Sequence, residues 1–399
     1  MRTECRACDS KKLEQILDLG MQPLAGGFLK DDADAKEKEK QYPLPVHVCA
    51  DCGLVQTLYV VPADVLFTNY FFSSSTIPAL VKHFELYADW IIKKLNPKKV
   101  VEFGCNDGIL LTPLKNKGVQ TYGCDISENI TELTRSKGHQ VMTGFFDQKN
   151  AVKIIETFGK ADVVTGSNCF PHNDNPEEIL KAAKIALNEN GHLCLEVMYA
   201  GDLYDKLQWD SMYHEHLNYF CLKTLDVLLR KNGFHAVHAE LLEMHAGTLR
   251  VIAAVNPSEK PDESVHALLK LEEEKKLTSV ATWQDFGKKV NRQIEITKKV
   301  MKDLSGKGRV WGYGAAGRAT MWVNACDMNY LEFMIDSSPL RSGRLMPGTH
   351  TPIVFPEALK INPPDYIFVP AWNYIDIIKE KESWFKGIWC VPLPDFKFL

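Results

Sequence analysis

The stretch from residue 99 to residue 125 constrains the fold of this 399-residue chain more than any other. An apolar run, KVVEF, leads into the glycine turn GCNDG, a helix-like stretch follows, and a second short apolar run ends in Asp125. Further apolar runs then alternate with helix-like stretches, among them DVVTGSN, PEEILKAAKIAL and HLCLEV. Because such alternation is typical of parallel sheets covered by helices, the pattern predicts an α/β fold with a Rossmann-like unit.

Two CxxC pairs lie near the start of the chain, Cys5 with Cys8 and Cys49 with Cys52. Each pair places two thiolates on one tight turn, and two such turns form the tetrahedral four-sulfur site that Zn²⁺ prefers. Four protein ligands leave no open coordination position, so the expected zinc is structural. One alternative is a nucleic-acid-binding ribbon, which lacks a basic flank here. The other is a set of four unrelated buried cysteines.

The glycine turn has the pattern E-x-G-x-x-x-G and lacks the glycine spacing of a dinucleotide-binding loop. Polar and acidic groups on such a turn suit the amino-acid part of S-adenosylmethionine, and Asp125 is placed to accept hydrogen bonds from both ribose hydroxyls. The pattern predicts an S-adenosylmethionine-dependent methyltransferase, with another nucleoside or no ligand as the alternative. The predicted cofactor-binding residues are Glu102, Gly104, Asn106, Asp107, Gly108, Asp125, Ile126, Phe146 and Asn168.

Tyr213, His214, Glu215 and His216 form a cluster after the fourth predicted strand, at the sheet edge where ligands bind in open α/β folds. This density of acid–base groups favours catalysis over packing, with a metal site as the alternative. The spacing of the two histidines suits a strand that presents both to one side. Methyl transfer to carbon needs a base next to a carbonyl and a donor to the enolate oxygen. A histidine is a suitable base, and Tyr213, His214 or Tyr70 can be the donor.

The whole chain resembles the sugar C-methyltransferases of the tetronitrose 3-C-methyltransferase type. The motifs that carry the resemblance are the two CxxC pairs, NYFFSSS at 69–75, EFGCNDG at 102–108, YHEHLNYF at 213–220, HAGTLRV at 245–251, GYGAAGRA at 312–319 and RLMPGTHTPI at 344–353. The resemblance implies a small zinc-binding N-terminal domain, a central S-adenosylmethionine-binding domain and a C-terminal Rossmann-like domain. It also implies C-methylation beside the keto group of a nucleotide-linked deoxysugar.

For the site, the resemblance implies that His216 is the general base and that Glu215 and Tyr213 assist it. It further implies that a tyrosine of the 69–75 segment lines the site, which falls on Tyr70. The sequence departs from the family at two positions. Phe72 lacks a hydroxyl at a second aromatic position, and Pro171 precedes His172 where alanine is more usual.

A second glycine-rich turn, G-x-G-x-x-G, begins at Gly312, and Asp336 closes the next predicted strand. Read alone, this pattern predicts a bound nicotinamide dinucleotide. The family resemblance instead implies that this part of the chain helps to hold the nucleotide of the substrate, and Gly314 and Arg318 at a helix N-terminus can bind its phosphates. A turn needed only for packing is the remaining alternative.

The expected domains are a zinc-binding domain at 1–65, a methyltransferase domain at 66–260, and a helical connector with a Rossmann-like domain at 261–399. A formal net charge of −4 and the absence of an apolar run of membrane-spanning length argue against nucleic acid and membrane as partners. Eleven cysteines without an export signal favour a reducing, cytoplasmic location. We expect a monomer with a small-molecule substrate. An O-methyltransferase on nucleotide sugars and a non-catalytic ligand-binding protein are the rival functions.

Overall fold

The computed structural model of the protein describes residues 1–31, 33–34, 37, 39–67 and 73–399. Its strands are β1 (Leu13–Pro23), β2 (Gln41–Cys49), β3 (Val55–Thr57), β4 (Lys99–Phe103), β5 (Gln120–Asp125), β6 (Val141–Thr143), β7 (Ala161–Ser167), β8 (Leu187–Met198), β9 (Asn218–Tyr219), β10 (His235–Leu242), β11 (Thr248–Ala254), β12 (Val310–Tyr313), β13 (Met334–Ile335), β14 (Ile353–Val354), β15 (Tyr366–Phe368), β16 (Ile388–Val391) and β17 (Lys397–Phe398). Its α-helices are α1 (Ala63–Phe67), α2 (Pro78–Leu95), α3 (Leu111–Asn116), α4 (Glu128–Ser136), α5 (Gln148–Phe158), α6 (Pro176–Ala186), α7 (Ala200–Asp205), α8 (Leu222–Lys231), α9 (Glu263–Glu274), α10 (Val280–Ser305), α11 (Gly317–Ala325), α12 (Glu357–Ile361) and α13 (Ile375–Lys381). The strands form three sheets, which we call the N-terminal, central and C-terminal sheets.

The N-terminal sheet is antiparallel, with the strand order β1-β2-β3-β9. The sequence predicted no strand in residues 1–60, whereas β1 and β2 pair along most of their length. Two register shifts interrupt β1, and prolines lie at positions 43 and 45 of β2, so the alternation that marks a strand is weak in the sequence. The fourth strand, β9, follows directly after the Tyr213–His216 motif.

The central sheet has the strand order β10-β11-β8-β7-β4-β5-β6, and only β11 runs against the others. The order reverses at β4, since β5 and β6 lie on one side of it and β7 and β8 on the other. The crevice beyond the carboxyl ends of β4 and β7 is therefore the position where an open α/β sheet binds ligands. The predicted strands of this region are confirmed, while helix α5, which begins after the side-chain cap Asp147, was not predicted.

The C-terminal sheet has the order β14-β13-β12-β15-β16-β17 and is parallel except at β17. With helices α11–α13 it forms a second Rossmann-like unit, which we call the C-terminal unit. The three sheets confirm the predicted fold class. In the part of the chain that the structure describes, no helix combines the length and the apolar character that crossing a membrane requires.

The long helix α10 connects the central and C-terminal sheets and packs across β1 of the N-terminal sheet. Its side chains Trp283, Phe286 and Val290 are buried, and Gly287 lies at the crossing point. A Cβ atom at Gly287 would be 1.8 Å from the carbonyl oxygen of Ile16. The close approach of helix and strand therefore requires glycine at this position.

We expect Gly287→Ala to lower the free energy of unfolding by about 3 kcal/mol, the upper end of the cost of overpacking, because the methyl group must displace backbone. Calorimetric thermal unfolding measures the effect. Gly306→Ala is the matched control, since a Cβ there meets only the carbonyl oxygen of Asp303 at 3.6 Å. Equal unfolding midpoints for both variants would contradict the close packing of α10 on β1.

Candidate active site

The four predicted zinc ligands lie close together at one end of the N-terminal sheet, where β2 ends at Cys49. The Sγ atoms of Cys5 and Cys52 are 3.6 Å apart, as are those of Cys8 and Cys49, and all four lie within 4.8 Å of one another. Zn–S bonds of about 2.3 Å in a tetrahedron place the sulfurs about 3.8 Å apart, so the cluster fits Zn²⁺. Among the described residues, this is the cluster with metal-ligand geometry.

Arg6 lies between the first two cysteines and connects the zinc site to the central sheet. Its guanidinium, which is 1% exposed, donates to the carbonyl oxygen of Thr57 at 2.7 Å and approaches that of Leu217 at 3.5 Å. It also pairs with the carboxylate of Asp174 at 2.9 Å. Burial lowers the pKa of Arg6 to about 10, which leaves it charged at neutral pH. These contacts fix the turn that carries Cys5 and Cys8 against Leu217, the residue after His216.

The glycine turn after β4 adopts the conformation that the sequence predicts. Gly104, Asn106 and Gly108 all have positive φ, at 62°, 47° and 78°. The backbone N–H of Asn106 donates to one carboxylate oxygen of Asp125 at 3.0 Å, and the N–H of Ser127 donates to the other at 3.0 Å. These bonds join the ends of β4 and β5 into one rim around the crevice.

Asp107 is held by two serines of the segment at 69–75. Ser73 donates its hydroxyl at 2.7 Å and Ser75 its backbone N–H at 3.2 Å to one carboxylate oxygen, and the Nζ of Lys137 lies 3.2 Å away. Burial raises the pKa of Asp107, but these hydrogen bonds and the charge of Lys137 bring the net pKa below its usual value. Sequence reasoning predicted Asp107 and missed its partners. Tyr70 and Phe72 lie outside the described residues.

The environment of Glu102 tests whether the crevice fits S-adenosylmethionine. It is 2% exposed, and among the described residues its Oε2 atom has no hydrogen-bond partner. Burial, with the charges of Asp125 and Asp107, raises the pKa of Glu102 well above its usual value. A buried oxygen without a partner is costly, and a ligand amino or hydroxyl group in the crevice would satisfy it. The residues present therefore fit the cofactor.

The remaining predicted cofactor residues surround the same crevice. Phe146 is buried and stacks on Phe103, with ring centroids 5.3 Å apart. Asn168 follows β7 with a φ of 58°, and its N–H donates to the carbonyl of Glu196 at 2.8 Å. Ile126 follows β5 and is partly exposed.

The Tyr213–His216 motif forms a turn, so the expectation of a strand with both histidines on one side is wrong. The N–H of His216 donates to the carbonyl of Tyr213 at 2.9 Å, which closes the turn and separates the two imidazoles. The ring of His214 is buried against Tyr42 of β2, whose carbonyl oxygen is 3.2 Å from its Nε2. His214 therefore faces the N-terminal sheet, and its role as a donor stays a prediction.

His216 has a fixed tautomer. Its Nδ1 lies 2.7 Å from the carbonyl oxygen of Ser211, and since a carbonyl only accepts, Nδ1 carries the hydrogen. In the neutral ring Nε2 is then the basic nitrogen. The ring centroid lies 4.1 Å from that of Tyr213 and 5.0 Å from that of His172. Burial lowers the pKa of His172 to about 4, so this neighbour is neutral at neutral pH. His172 was noted only as a departure from the family pattern and was not among the predicted site residues.

Glu215 faces the loop after β1 of the N-terminal sheet, and Tyr213 faces helix α11 of the C-terminal unit. Burial raises the pKa of Glu215 to about 7, while a hydrogen bond from the backbone N–H of Gly26 lowers it in part. A Cβ atom at Gly317, the first residue of α11, would be 3.6 Å from the hydroxyl of Tyr213. Burial, together with the charge of Glu215, raises the pKa of Tyr213, so its hydroxyl stays protonated and can donate.

The second glycine turn precedes α11. Gly314 has a φ of 96°, and a Cβ there would be 2.8 Å from the Cβ of Ala371. The guanidinium of Arg318 lies 3.6 Å from the carboxylate of Asp210 and donates to Gln208 at 3.1 Å. Phosphate binding by Gly314 and Arg318 stays a prediction. Asp336, placed like the ribose-binding acid of a dinucleotide fold, is 3.5 Å from the guanidinium of Arg341.

A cavity of about 650 Å³ opens between the N-terminal sheet, helix α4 and the loop that precedes β14. Its lining includes the basic side chains Lys30, Lys40 and Arg344, the acidic side chains Asp34 and Glu39, and the side chains of Tyr42 and Asn129. Tyr42 is also the residue that contacts His214. Through Tyr42 the cavity thus approaches His214.

Three family models match the chain one after another. A zinc binding domain matches residues 5–67, a methyltransferase domain residues 81–239, and a C-methyltransferase C-terminal domain residues 243–394. Together with the crevice and the cysteine cluster, these matches define the class: the chain is an S-adenosylmethionine-dependent methyltransferase with a structural zinc site.

The particular family follows from the relatives and from the order of the domains. The C-methyltransferase NovU of Streptomyces niveus is 29% identical over 404 residues, which cover 98% of this chain and 96% of that protein. The chain is a C-methyltransferase with the zinc-binding, methyltransferase and C-methyltransferase C-terminal domains, and the resemblance found in the sequence is confirmed at this level.

Two further matches cover smaller shares of the chain. A ubiquinone biosynthesis O-methyltransferase of Pseudomonas aeruginosa is 28% identical over 119 residues, 28% of this chain and 50% of that protein. The structure of magnesium protoporphyrin IX methyltransferase from Synechocystis PCC 6803 covers 44% of this chain and 82% of that chain, with 17% identity and a TM-score of 0.35.

We expect Cys5→Ser to lose bound zinc and to unfold at lower temperature, because a structural zinc site contributes about 10 kcal/mol or more to folding. Metal analysis by atomic emission and calorimetric unfolding measure the two effects. Cys326→Ser is the control, since this thiol is buried outside the cluster. A Cys5→Ser protein that is free of zinc yet as stable as the parent would count against a structural role.

Proposed function

We propose that this C-methyltransferase transfers a methyl group to the carbon beside the keto group of a nucleotide-linked deoxysugar, with His216 as the general base. The observation that carries the proposal is the hydrogen bond from Nδ1 of His216 to Ser211. It leaves Nε2 as the basic nitrogen of a ring held between Tyr213 and His172. A base of fixed tautomer is what removal of a carbon-bound proton requires.

The chain's own residues supply each part of an enolisation. Nε2 of His216 takes the proton from the carbon next to the carbonyl, the electron pair of that C–H bond forms the C=C bond of the enolate, and the π pair of the C=O bond moves to the oxygen. The protonated hydroxyl of Tyr213, whose ring touches that of His216, donates to this oxygen, and Tyr70 is a further candidate. S-adenosylmethionine, when bound, supplies the methyl group as the electrophile.

The role that we assign to Glu215 follows from its pKa and from its contact with Gly26. With its pKa raised to about 7 by burial, its carboxyl group takes up a proton near neutrality. It contacts the zinc-domain loop at Gly26 rather than His216, so we assign it the positioning of the turn. The neutral His172, stacked on the other side of His216, keeps positive charge away from the base.

The cavity lined by Tyr42 supports a nucleotide-linked substrate. Lys30, Lys40 and Arg344 suit the phosphates of a nucleoside diphosphate, and Tyr42 offers an aromatic ring for a base. The C-terminal glycine turn at Gly314 is a second candidate for the phosphates. The relative NovU, over nearly the whole chain, is itself a C-methyltransferase.

Oxygen is the competing acceptor, and the match to ubiquinone biosynthesis O-methyltransferases is the observation in its favour. In that case His216 would deprotonate a hydroxyl, and no ketone would be needed. Incubation of a nucleotide-linked keto-deoxysugar with the enzyme in D₂O, without cofactor, separates the two. The C-methyl proposal predicts deuterium at the carbon beside the ketone, measured by NMR. An unlabelled carbon, with the methyl group on oxygen after turnover, would overturn it.

We expect His216→Asn to abolish turnover and deuterium exchange while the affinity for S-adenosylhomocysteine changes by less than about twofold, since asparagine keeps a donor toward Ser211 but is not a base. Isothermal calorimetry measures the affinity. His192→Asn is the matched control, because this ring pairs with Glu259 and is not among the site residues. A large loss of cofactor affinity in His216→Asn would contradict the assignment of the base.

A further inference from the structure

A buried carboxylate, that of Asp210, joins the segment before the His216 turn to the C-terminal unit. Asp210 is 0% exposed, and its Oδ2 accepts the indole N–H groups of Trp322 and Trp372, each at 3.1 Å. The guanidinium of Arg318 lies 3.6 Å from Oδ1 and donates to Gln208 at 3.1 Å. Three side chains of the C-terminal unit thus converge on one carboxylate of the central domain.

This carboxylate lies one residue from the group that orients the base. Ser211 follows Asp210 in the chain, and its carbonyl accepts from Nδ1 of His216 at 2.7 Å. Trp209 on the other side is buried and packs edge-on against Trp322, with ring centroids 4.5 Å apart. A shift of Asp210 therefore moves the carbonyl that fixes the tautomer and direction of His216.

Helix α11, which carries Arg318 and Trp322, also approaches Tyr213, the proposed donor to the enolate oxygen. Tyr213 lies against the first turn of α11, where a Cβ atom at Gly317 would be 3.5 Å from its Cζ and 3.3 Å from the Cβ of Ala25. Arg318 is the next residue of that turn. The last glycine of the G-x-G-x-x-G pattern thus has a function in packing, since it lets α11 approach Tyr213 and the loop of the N-terminal sheet closely.

The contacts around Asp210 depend on the positive charge of Arg318. A buried carboxylate that loses its cationic partner is strongly destabilised, and it is then protonated or displaced. Burial raises the pKa of Asp210 above its usual value, and Arg318 and the two indole N–H groups oppose this rise only in part. Arg318 is thus the cation that favours the carboxylate form of Asp210, which accepts from both tryptophans.

We propose that Arg318 and Asp210 are positioning residues for proton abstraction, through which the C-terminal unit orients His216 and Tyr213. The inference rests on the proposed function and assigns Arg318 a different role from phosphate binding. The two roles differ in the kinetic constant that they affect. A phosphate ligand contributes to substrate affinity, whereas a positioning residue affects the rate at saturating substrate.

Deuterium exchange at the substrate carbon in D₂O without cofactor, at saturating nucleotide-linked keto-deoxysugar, tests this. We expect Arg318→Gln to slow exchange about 10- to 100-fold, as a base displaced by about 1 Å does. The KM for the sugar nucleotide and the affinity for S-adenosylhomocysteine should change little. Arg318→Lys should recover part of the exchange rate, because the ammonium restores the charge beside Asp210. Arg309→Gln, which removes a surface arginine paired with Glu332, is the control.

Each outcome has a definite meaning. If the wild-type enzyme does not exchange, the proposed function itself fails. If the wild type exchanges and Arg318→Gln exchanges equally fast, or raises only KM, the positioning role is overturned. Thermal unfolding accompanies each variant. Should Arg318→Gln or Asp210→Asn not fold, Trp372→Phe removes one hydrogen bond to Asp210 from a partly exposed ring, and normal exchange in that variant overturns the inference.

Discussion

The pairing of β3 with β9 is the contact on which the active site depends. Val55 pairs with Tyr219 and Gln56 with Asn218, so the residues that directly follow His216 form the edge of the zinc-bound sheet. Arg6, held between two zinc ligands, reinforces this edge through Thr57, Leu217 and Asp174. The metal therefore stabilises more than its own small sheet, because it also fixes one end of the turn that carries His216, the proposed base.

The other end of the turn is fixed by the C-terminal unit, and its middle contacts the N-terminal loop at Gly26. A base that must take a proton from carbon needs a precise position, because a carbon acid offers no lone pair to guide the approach. A turn held at both ends supplies that position, whereas a turn closed only by its own hydrogen bond does not. The three-domain arrangement is thus understandable from the chemistry that a C-methyltransferase performs.

Local patterns predicted much of this structure, and contacts between distant residues account for most of what they missed. The CxxC pairs, the glycine turn ending at Gly108 and the position of Asp125 follow from short-range rules. The strand β1 was missed since its bulges hide the alternation, and β9 is only two residues long and exists through its partner. The pairing of Arg318 with Asp210 joins residues 108 positions apart, and a single sequence carries no signal for it.

The origin of β9 also bears on the order in which the chain acquires its structure during synthesis. The zinc ligands and β1–β3 leave the ribosome before the central domain, yet their sheet gains its last strand only after Tyr219 has been made. Until then β3 presents an unpaired edge, and Arg6 lacks both Asp174 and Leu217. The N-terminal segment therefore completes its fold only after most of the central domain has been synthesised, so its folding is tied to that of the turn that carries His216.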